Sequence, residues 1–306
     1  MLSTEIRYFL AVASTGSLSA ASQQLYVAVS AISRQIQRLE QQVGAPLFER
    51  HPRGMILNEA GEIFAHHVRR NMLEMELAVA EIKGLNAVRR ALIRIACTDG
   101  MAFDLLPTLM ARFRLQNPAV TFSLQIASSS TVAGLIREGE CDVAFQFSLQ
   151  PERAVDVVAS WPAPVLLAMQ QQHPLAGAAI GLADLSHYPV ALPQQGSTVR
   201  QLFDLTCHMN GIFIEPVLTC DSFATLWHFL LNTPGALTLC SQFTVLYQTD
   251  RLALKSIGIN QLSQRTLQVQ TPTGRRRSAA LALWLDFVCE EITRQNQRIQ
   301  PMWQDA

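Results

Sequence analysis

The sequence predicts an α/β protein in two unequal parts: an all-α-rich N-terminal segment carrying one small hairpin, and a larger C-terminal part of alternating strands and helices. Three observations predict it. Apolar residues recur at helical spacing through residues 3–42, a long helical repeat follows Asn58, and beyond residue 90 short buried-strand runs alternate with helical ones. A chain of 306 residues is long enough for about two domains with cores of their own.

Composition bounds the function. Hydrophobic residues make up 49% of the chain and charged residues 16%, a globular balance rather than a disordered one. The 24 basic and 24 acidic residues cancel, so no global field attracts nucleic acid, and a DNA partner would have to be held by local chemistry. No run approaches the ~18 consecutive apolar residues of a membrane helix. Met1–Arg7 lacks the basic and apolar regions of a secretion signal, so no membrane partner and a cytoplasmic location are expected. The 6 cysteines are scattered with neither CxxC nor metal-ligand spacing. In a reducing compartment they read as small buried hydrophobes, and neither metal nor cofactor is expected.

The N-terminal elements follow in order. Ile6, Phe9, Leu10 and Ala13 share one face of a first helix that Ser3 can cap, and Thr15-Gly16-Ser17 breaks it. Ser19 can cap a second, with Ala20, Ala21 and Leu25 on its apolar face. A third starts near Val29 and carries the one-sided stripe Ile32, Ile36, Leu39 and Val43. Its other face holds Ser30, Ser33, Arg34, Gln37 and Arg38. In a DNA groove Arg can bond guanine O6 and N7, Gln can bond adenine N6 and N7, and Ser can reach bases or phosphates. An ordinary solvated helix face is the alternative. Two short extended pieces around His51-Pro52-Arg53-Gly54 then make a wing, where Arg50 and Arg53 could enter a narrow minor groove. Asn58 can cap a helix running to about Leu85, in which Ile63, Phe64, Val68, Met72, Met75, Val79 and Ile82 alternate spacings of three and four. That stripe is the pattern of a two-helix dimer seam, with packing on its own domain as the alternative.

These residues carry a family resemblance. Gly16-Ser17-Leu18-Ser19-Ala20-Ala21, Leu25, Ser30 through Glu40, Gly44, Pro46-Leu47-Phe48-Glu49-Arg50 and Glu59-Ala60-Gly61 stand in register with the LysR-type transcriptional regulators, which the sequence resembles over nearly its whole length. The resemblance implies a winged helix-turn-helix over residues 1–58, a linker and dimerisation helix over 59–89, and an effector-binding domain over 90–306. That last domain would be two-lobed and periplasmic-binding-protein-like (type 2), with lobe I at about 90–160 and 265–306 and lobe II at about 161–264. The family commonly has Ser-Gln where this chain has Ala28-Val29, so a base contact and a helix cap are absent, although Val29 could touch a thymine methyl.

Strands at Leu92–Ala96, Val120–Ile126 and Cys141–Phe145, separated by helices, predict a mostly parallel sheet. Ligands in such sheets bind beyond the carboxyl ends of strands and between domains. Thr98-Asp99-Gly100, Ser128-Ser129-Ser130-Thr131 and Gly196-Ser197-Thr198 fall at those places, where free N–H groups and hydroxyls can receive an anion. Thr98, Ser129 and Thr198 match effector-binding positions of the family, while simple helix capping is the alternative for each. Gln146 and Phe147, just beyond the third strand, and Ser222-Phe223 in the second lobe are expected to line the same site or to belong to the core. Arg200 either balances an anionic ligand or pairs with Asp204. Peroxide-sensing relatives have a cysteine pair here, of which Thr198 replaces the reactive member and Cys207 remains, so a redox switch is not expected, with Cys207 and Cys220 as the residues that would carry the alternative. Arg275-Arg276-Arg277 reads as a solvated run before the last helix.

The function predicted is a non-enzymatic regulator that binds double-stranded DNA, senses a small effector, anions being among the candidates, and self-associates as a dimer or tetramer. The alternative is a two-lobed binding protein or enzyme that uses the N-terminal helices only to dimerise. No nucleophile–base pair, phosphate loop or metal cluster is readable to favour it.

Overall fold

The structure, a computed structural model, describes residues 3–51, 54–84, 91–149, 155–248, 251–257 and 259–299. The chain divides into two compact units between Val88 and Arg89.

The first unit begins with three helices, α1 (Thr4–Thr15), α2 (Leu18–Leu25) and α3 (Val29–Val43). Ser3 caps α1 by accepting from the Ile6 N–H, and Gly16 ends it with a left-handed φ of 66°. Ser17, rather than Ser19, caps α2 through the Ala20 N–H. Gly16 leaves Ser17 in extended backbone, so the next helix starts at once. Ile32, Ile36 and Leu39 of α3 are buried with Phe9, Val12 and Leu47, whereas Val43, at the end of the stripe, is exposed. Fully burying Phe9 alone contributes roughly 1.5–3 kcal/mol, and its ring meets those of Phe48 and Phe64 at 5.3 and 5.2 Å.

The wing is the antiparallel pair β1 (Phe48–His51) and β2 (Gly54–Leu57). It is tied to the helices by two hydrogen bonds of 2.8 Å, from Met55 N to Gly16 O and from Leu47 N to the Glu40 carboxylate. α4 (Glu59–Gly84) follows, its first turn capped by Asn58 Oδ1 accepting from the Gly61 N–H at 2.8 Å. Along α4, Val68 is buried, but Ile63, Met75 and Val79 remain exposed.

The second unit holds two five-stranded sheets. The first has the order β4-β3-β5-β12-β6 and the second β11-β7-β10-β8-β9. Their strands are β3 (Ala91–Cys97), β4 (Val120–Ile126), β5 (Val143–Ser148), β6 (Val155–Pro162), β7 (Leu166–Gln170), β8 (Val190–Pro193), β9 (Leu218–Cys220), β10 (Leu237–Cys240), β11 (Leu252–Lys255) and β12 (Thr266–Pro272). The helices are α5 (Asp99–Ala102), α6 (Leu105–Gln116), α7 (Ser129–Arg137), α8 (Thr198–Met209), α9 (Phe223–Asn232) and α10 (Ala279–Ile299).

Each sheet is mixed, not mostly parallel. β3 pairs in parallel with β4 and β5, but β12 runs antiparallel between β5 and β6. In the second sheet β8 is parallel to β9 and β10, while β7 is antiparallel to β10 and β11. The antiparallel strands flank the crossings: the chain passes from first sheet to second between β6 and β7, and returns between β11 and β12. The two crossings pair with each other, Ala163 N donating to Arg265 O and Val165 N to Leu262 O, both at 2.8 Å. One apolar core runs through both lobes, with Phe103 against Phe223 and Trp227 at 5.1 Å each.

Candidate DNA-reading helix and interlobe site

On α3 the buried stripe fixes which face is left over. Ser30, Arg34, Gln37 and Arg38 are exposed and Ser33 is half-buried. Arg34 Nε donates to Ser30 O at 3.3 Å, and Arg38 Nε lies 3.9 Å from a Glu5 carboxylate oxygen. Neither tie is strong at an exposed site, so both guanidinium groups can turn to another partner. Arg50 lies in β1 opposite Met55. Its side chain and the whole of Arg53 lie outside the described residues.

The turn before α3 holds an exposed residue that the sequence did not signal. Tyr26 is 94% exposed and takes a left-handed φ of 55°, which a non-glycine side chain adopts at a cost. It stands two residues before Ala28, the N-cap of α3, which makes no side-chain cap. Ala28→Ser is therefore expected to supply the missing acceptor and stabilise the first unit by about 1 kcal/mol, read as a rise of roughly 4–8 °C in its melting transition. An unchanged transition would mean that another group already meets those first-turn N–H groups.

In the second unit, Thr98 is the N-cap of the short α5, but its hydroxyl makes no cap; Oγ1 is buried with no hydrogen-bond partner. Gly100 allows close approach, because a Cβ there would stand 3.1 Å from Thr244 Oγ1 and 3.6 Å from the Phe147 ring. Phe147 lies under the Arg265 guanidinium at 4.1 Å, and Arg265 Nη1 donates to Thr198 Oγ1 at 3.3 Å. Thr98 opens the short helix that carries Gly100, and Gly100, Phe147 and Thr198 thus meet, through contacts from both lobes, around Thr244 and Arg265. Neither of these last two was signalled by sequence: each sits in a plain stretch, far along the chain from its partners.

The remaining candidates divide. Ser128 caps α7 through the Thr131 N–H and touches the Ser130 and Thr131 hydroxyls at 3.0 and 2.9 Å; Ser128 and Thr131 are exposed or nearly so and Ser129 is half-buried. Ser197 caps α8 through the Arg200 N–H at 3.2 Å. Gln146 and Phe147 lie within β5, not beyond it. Neighbours on a strand face opposite ways, and Gln146, fully buried, donates to Gln270 Oε1 at 2.8 Å instead of joining Phe147. Ser222 precedes α9 without a side-chain cap, and the Phe223 ring belongs to the core. The Phe223 N–H donates to the Asp99 carboxylate at 2.6 Å, joining the lobes. Burial raises that carboxyl above its ordinary value, against the pull of this hydrogen bond.

Other charged and thiol groups of the second unit are otherwise engaged. Arg200 pairs with Asp204 at 2.7 Å. The Arg275 side chain, read as solvated, is 7% exposed and pairs with Asp142 at 3.0 Å, because Asp142 is itself buried. Burial pushes the Cys97, Cys141 and Cys240 thiols up to about 12 and Cys207 to about 11, far from the thiolate that reactivity requires.

A three-helix head with a wing, followed by two lobes of mixed sheet, defines a DNA-binding regulator carrying a sensor domain. Comparison with known proteins agrees. Residues 3–62 match the family described as bacterial regulatory helix-turn-helix protein, lysR family, and residues 86–292 match the LysR substrate binding domain. The chain belongs to the LysR family of transcriptional regulators. It is 30% identical to a probable RuBisCO transcriptional regulator of Cyanidioschyzon merolae, over 68% of this chain and 70% of that one. Among solved structures, full-length OxyR from Pseudomonas aeruginosa has a TM-score of 0.64 at 18% identity, covering 94% of each chain. CbnR in complex with its target DNA has a TM-score of 0.59 at 20% identity, covering 96% of this chain and 100% of that one. Among the described residues, no helix is long and apolar enough to cross a membrane.

Proposed function

We propose that this regulator reads DNA through Ser30, Ser33, Arg34, Gln37 and Arg38 of α3, with Arg50 and Arg53 on the wing, and senses a small effector between the lobes of residues 90–306. The domain limits are those given above, with α4 as the linker and dimerisation helix. The observation that carries the sensing half is the meeting of Gly100, Phe147 and Thr198, drawn from both lobes, around a buried cation, with Thr98 opening the helix that holds Gly100. Ser128, Ser129, Thr131, Ser197 and Ser222 would frame the surrounding helix starts. CbnR, of the same fold, is known in complex with DNA, which supports the reading half. The exposed Met75 and Val79, four residues apart on α4, suit pairing with a second copy in a dimer or a larger assembly. We infer that the protein acts by binding rather than by catalysis, in keeping with a relative named as a probable transcriptional regulator.

Effector binding alters transcription only if the ligand prefers one arrangement of the lobes and subunits to another. The test is to pull down genomic DNA with the full chain, map the bound sites, and follow expression from them. Sharp sites with inverted half-repeats one or two helical turns apart are expected. Thr98→Val and Thr198→Val should keep those sites occupied while locking expression in one state across growth conditions. Normal switching in both variants would place the effector elsewhere, and loss of folding in both would make the hydroxyls structural.

A further inference from the structure

Arg265 is wholly buried at the point where the chain returns from the second lobe to the first. Its Nε donates to Ala163 O, on the opposite crossing, at 2.9 Å, and its Nη1 to Thr198 Oγ1. Its Nη2 is buried with no hydrogen-bond partner, and among the described residues no carboxylate pairs with it. A buried charge with only neutral acceptors is costly, since removing an ion from water is repaid only by an opposite charge with good geometry. Burial pulls the guanidinium down to about 9, so it stays cationic at neutral pH. A second unmet group, the buried Thr98 hydroxyl, stands at the start of α5, two residues before Gly100. Phe147 offers an apolar ring that meets the Arg265 cation at 4.1 Å and lies 3.6 Å from where a Cβ on Gly100 would stand.

We propose that Arg265 is the anion-binding residue of the interlobe site, its free Nη2 edge taking the carboxylate of a small organic monoacid whose apolar part lies on Phe147. This rests on the reading that the effector binds between the lobes. A guanidinium fork suits carboxylate geometry and still has donors to give. One charge is matched, because Arg200 is held by Asp204, the Asp99 carboxylate is engaged by the Phe223 N–H, and Thr198 and Thr244 are neutral hydroxyls. Arg265 also links the two crossings, so neutralising it acts at the pivot between the lobes. The anion reaches it when the lobes part.

Thermal unfolding and titration calorimetry of the full chain test this, with benzoate, butyrate, inorganic phosphate and the neutral benzamide as probes at fixed ionic strength. Benzoate or butyrate should raise the unfolding temperature of the wild type saturably, and benzamide should not. Ligand-free Arg265→Met should unfold at the wild-type temperature or above it, and should bind the carboxylate on the order of tenfold to a hundredfold more weakly. Arg265→Lys, keeping charge but losing the fork, should fall between. The proposal is overturned if Arg265→Met unfolds far below wild type without ligand, which would make the guanidinium a structural tie. It is overturned equally if no carboxylate shifts the wild type, or if phosphate alone does. Carboxylate binding abolished in Thr98→Val but unchanged in Arg265→Met would leave the interlobe reading standing and remove Arg265 from it.

Discussion

Gly61→Ala is expected to melt the N-terminal unit while the C-terminal one stays folded. A Cβ at position 61 would lie 2.0 Å from the Leu47 carbonyl oxygen and 2.9 Å from Leu57 Cδ2. The carbonyl belongs to backbone and cannot swing aside. It already accepts from the Asn58 N–H at 3.1 Å, and Leu47 is fully buried in the core. Separating the two would uncap α4, break that hydrogen bond and lift Leu47 out of its packing. Overpacking costs about 1–3 kcal/mol and sometimes more, and an obstacle made of backbone puts this substitution at about 3 kcal/mol or above. For a unit of this size that is a drop of roughly 12 °C or more. Calorimetry should show the first transition moving down alone, with DNA binding abolished at temperatures where the wild type binds. Two unmoved transitions would show that α4 does not start against Leu47.

The second large effect concerns the face of α3. Arg34→Ala should weaken binding to a mapped site on the order of tenfold to a hundredfold, the ~1–3 kcal/mol of one bidentate base contact, and should leave binding to random DNA nearly unchanged. Ser33→Ala should act in the same sense but less, since a hydroxyl offers a single hydrogen bond. Arg38→Ala separates the two kinds of contact: a phosphate contact would weaken binding to all sequences alike and reduce the slope of affinity against salt by about one, whereas a base contact would spare random DNA. Footprints and affinities that ignore Arg34 and Ser33 alike would mean that α3 presents another face to DNA.

How much of this was legible depended on distance along the chain. The α3 stripe was readable because Ile32, Ile36 and Leu39 lie within three turns, and a helical period is a local property. The Asn58 cap was readable for the same reason. The cap of α2 was misplaced by two residues because Ser17 and Ser19 are chemically equal, and only the left-handed Gly16 decides between them. Sheet direction escaped because β12, with Leu267 and Val269 set among polar residues, finds its antiparallel partners β5 and β6 more than a hundred residues back along the chain. At the candidate site, Thr98 and Thr198 announce themselves by opening helices. Arg265 does not: it follows Gln264 and precedes Thr266 in no motif, and its partners stand at positions 147, 163 and 198. Arg275 looks like a solvated charge in the sequence because Asp142, buried beside it, is distant along the chain.

The paired crossings have an optical consequence. Trp161, next to last in β6 and two residues before Ala163, is buried, with its indole N–H donated to Thr293 Oγ1 at 3.0 Å and its ring 6.4 Å from that of Phe243. A rotation of one lobe against the other bends the backbone beside this ring and alters its surroundings. The N-terminal unit contains no tryptophan, so tryptophan emission, excited beyond the absorption band of Tyr8 and Tyr26, is silent about the DNA-reading head and reports on the C-terminal unit. Closing and opening of the lobes can therefore be followed by intrinsic fluorescence while the protein sits on DNA, with no label attached.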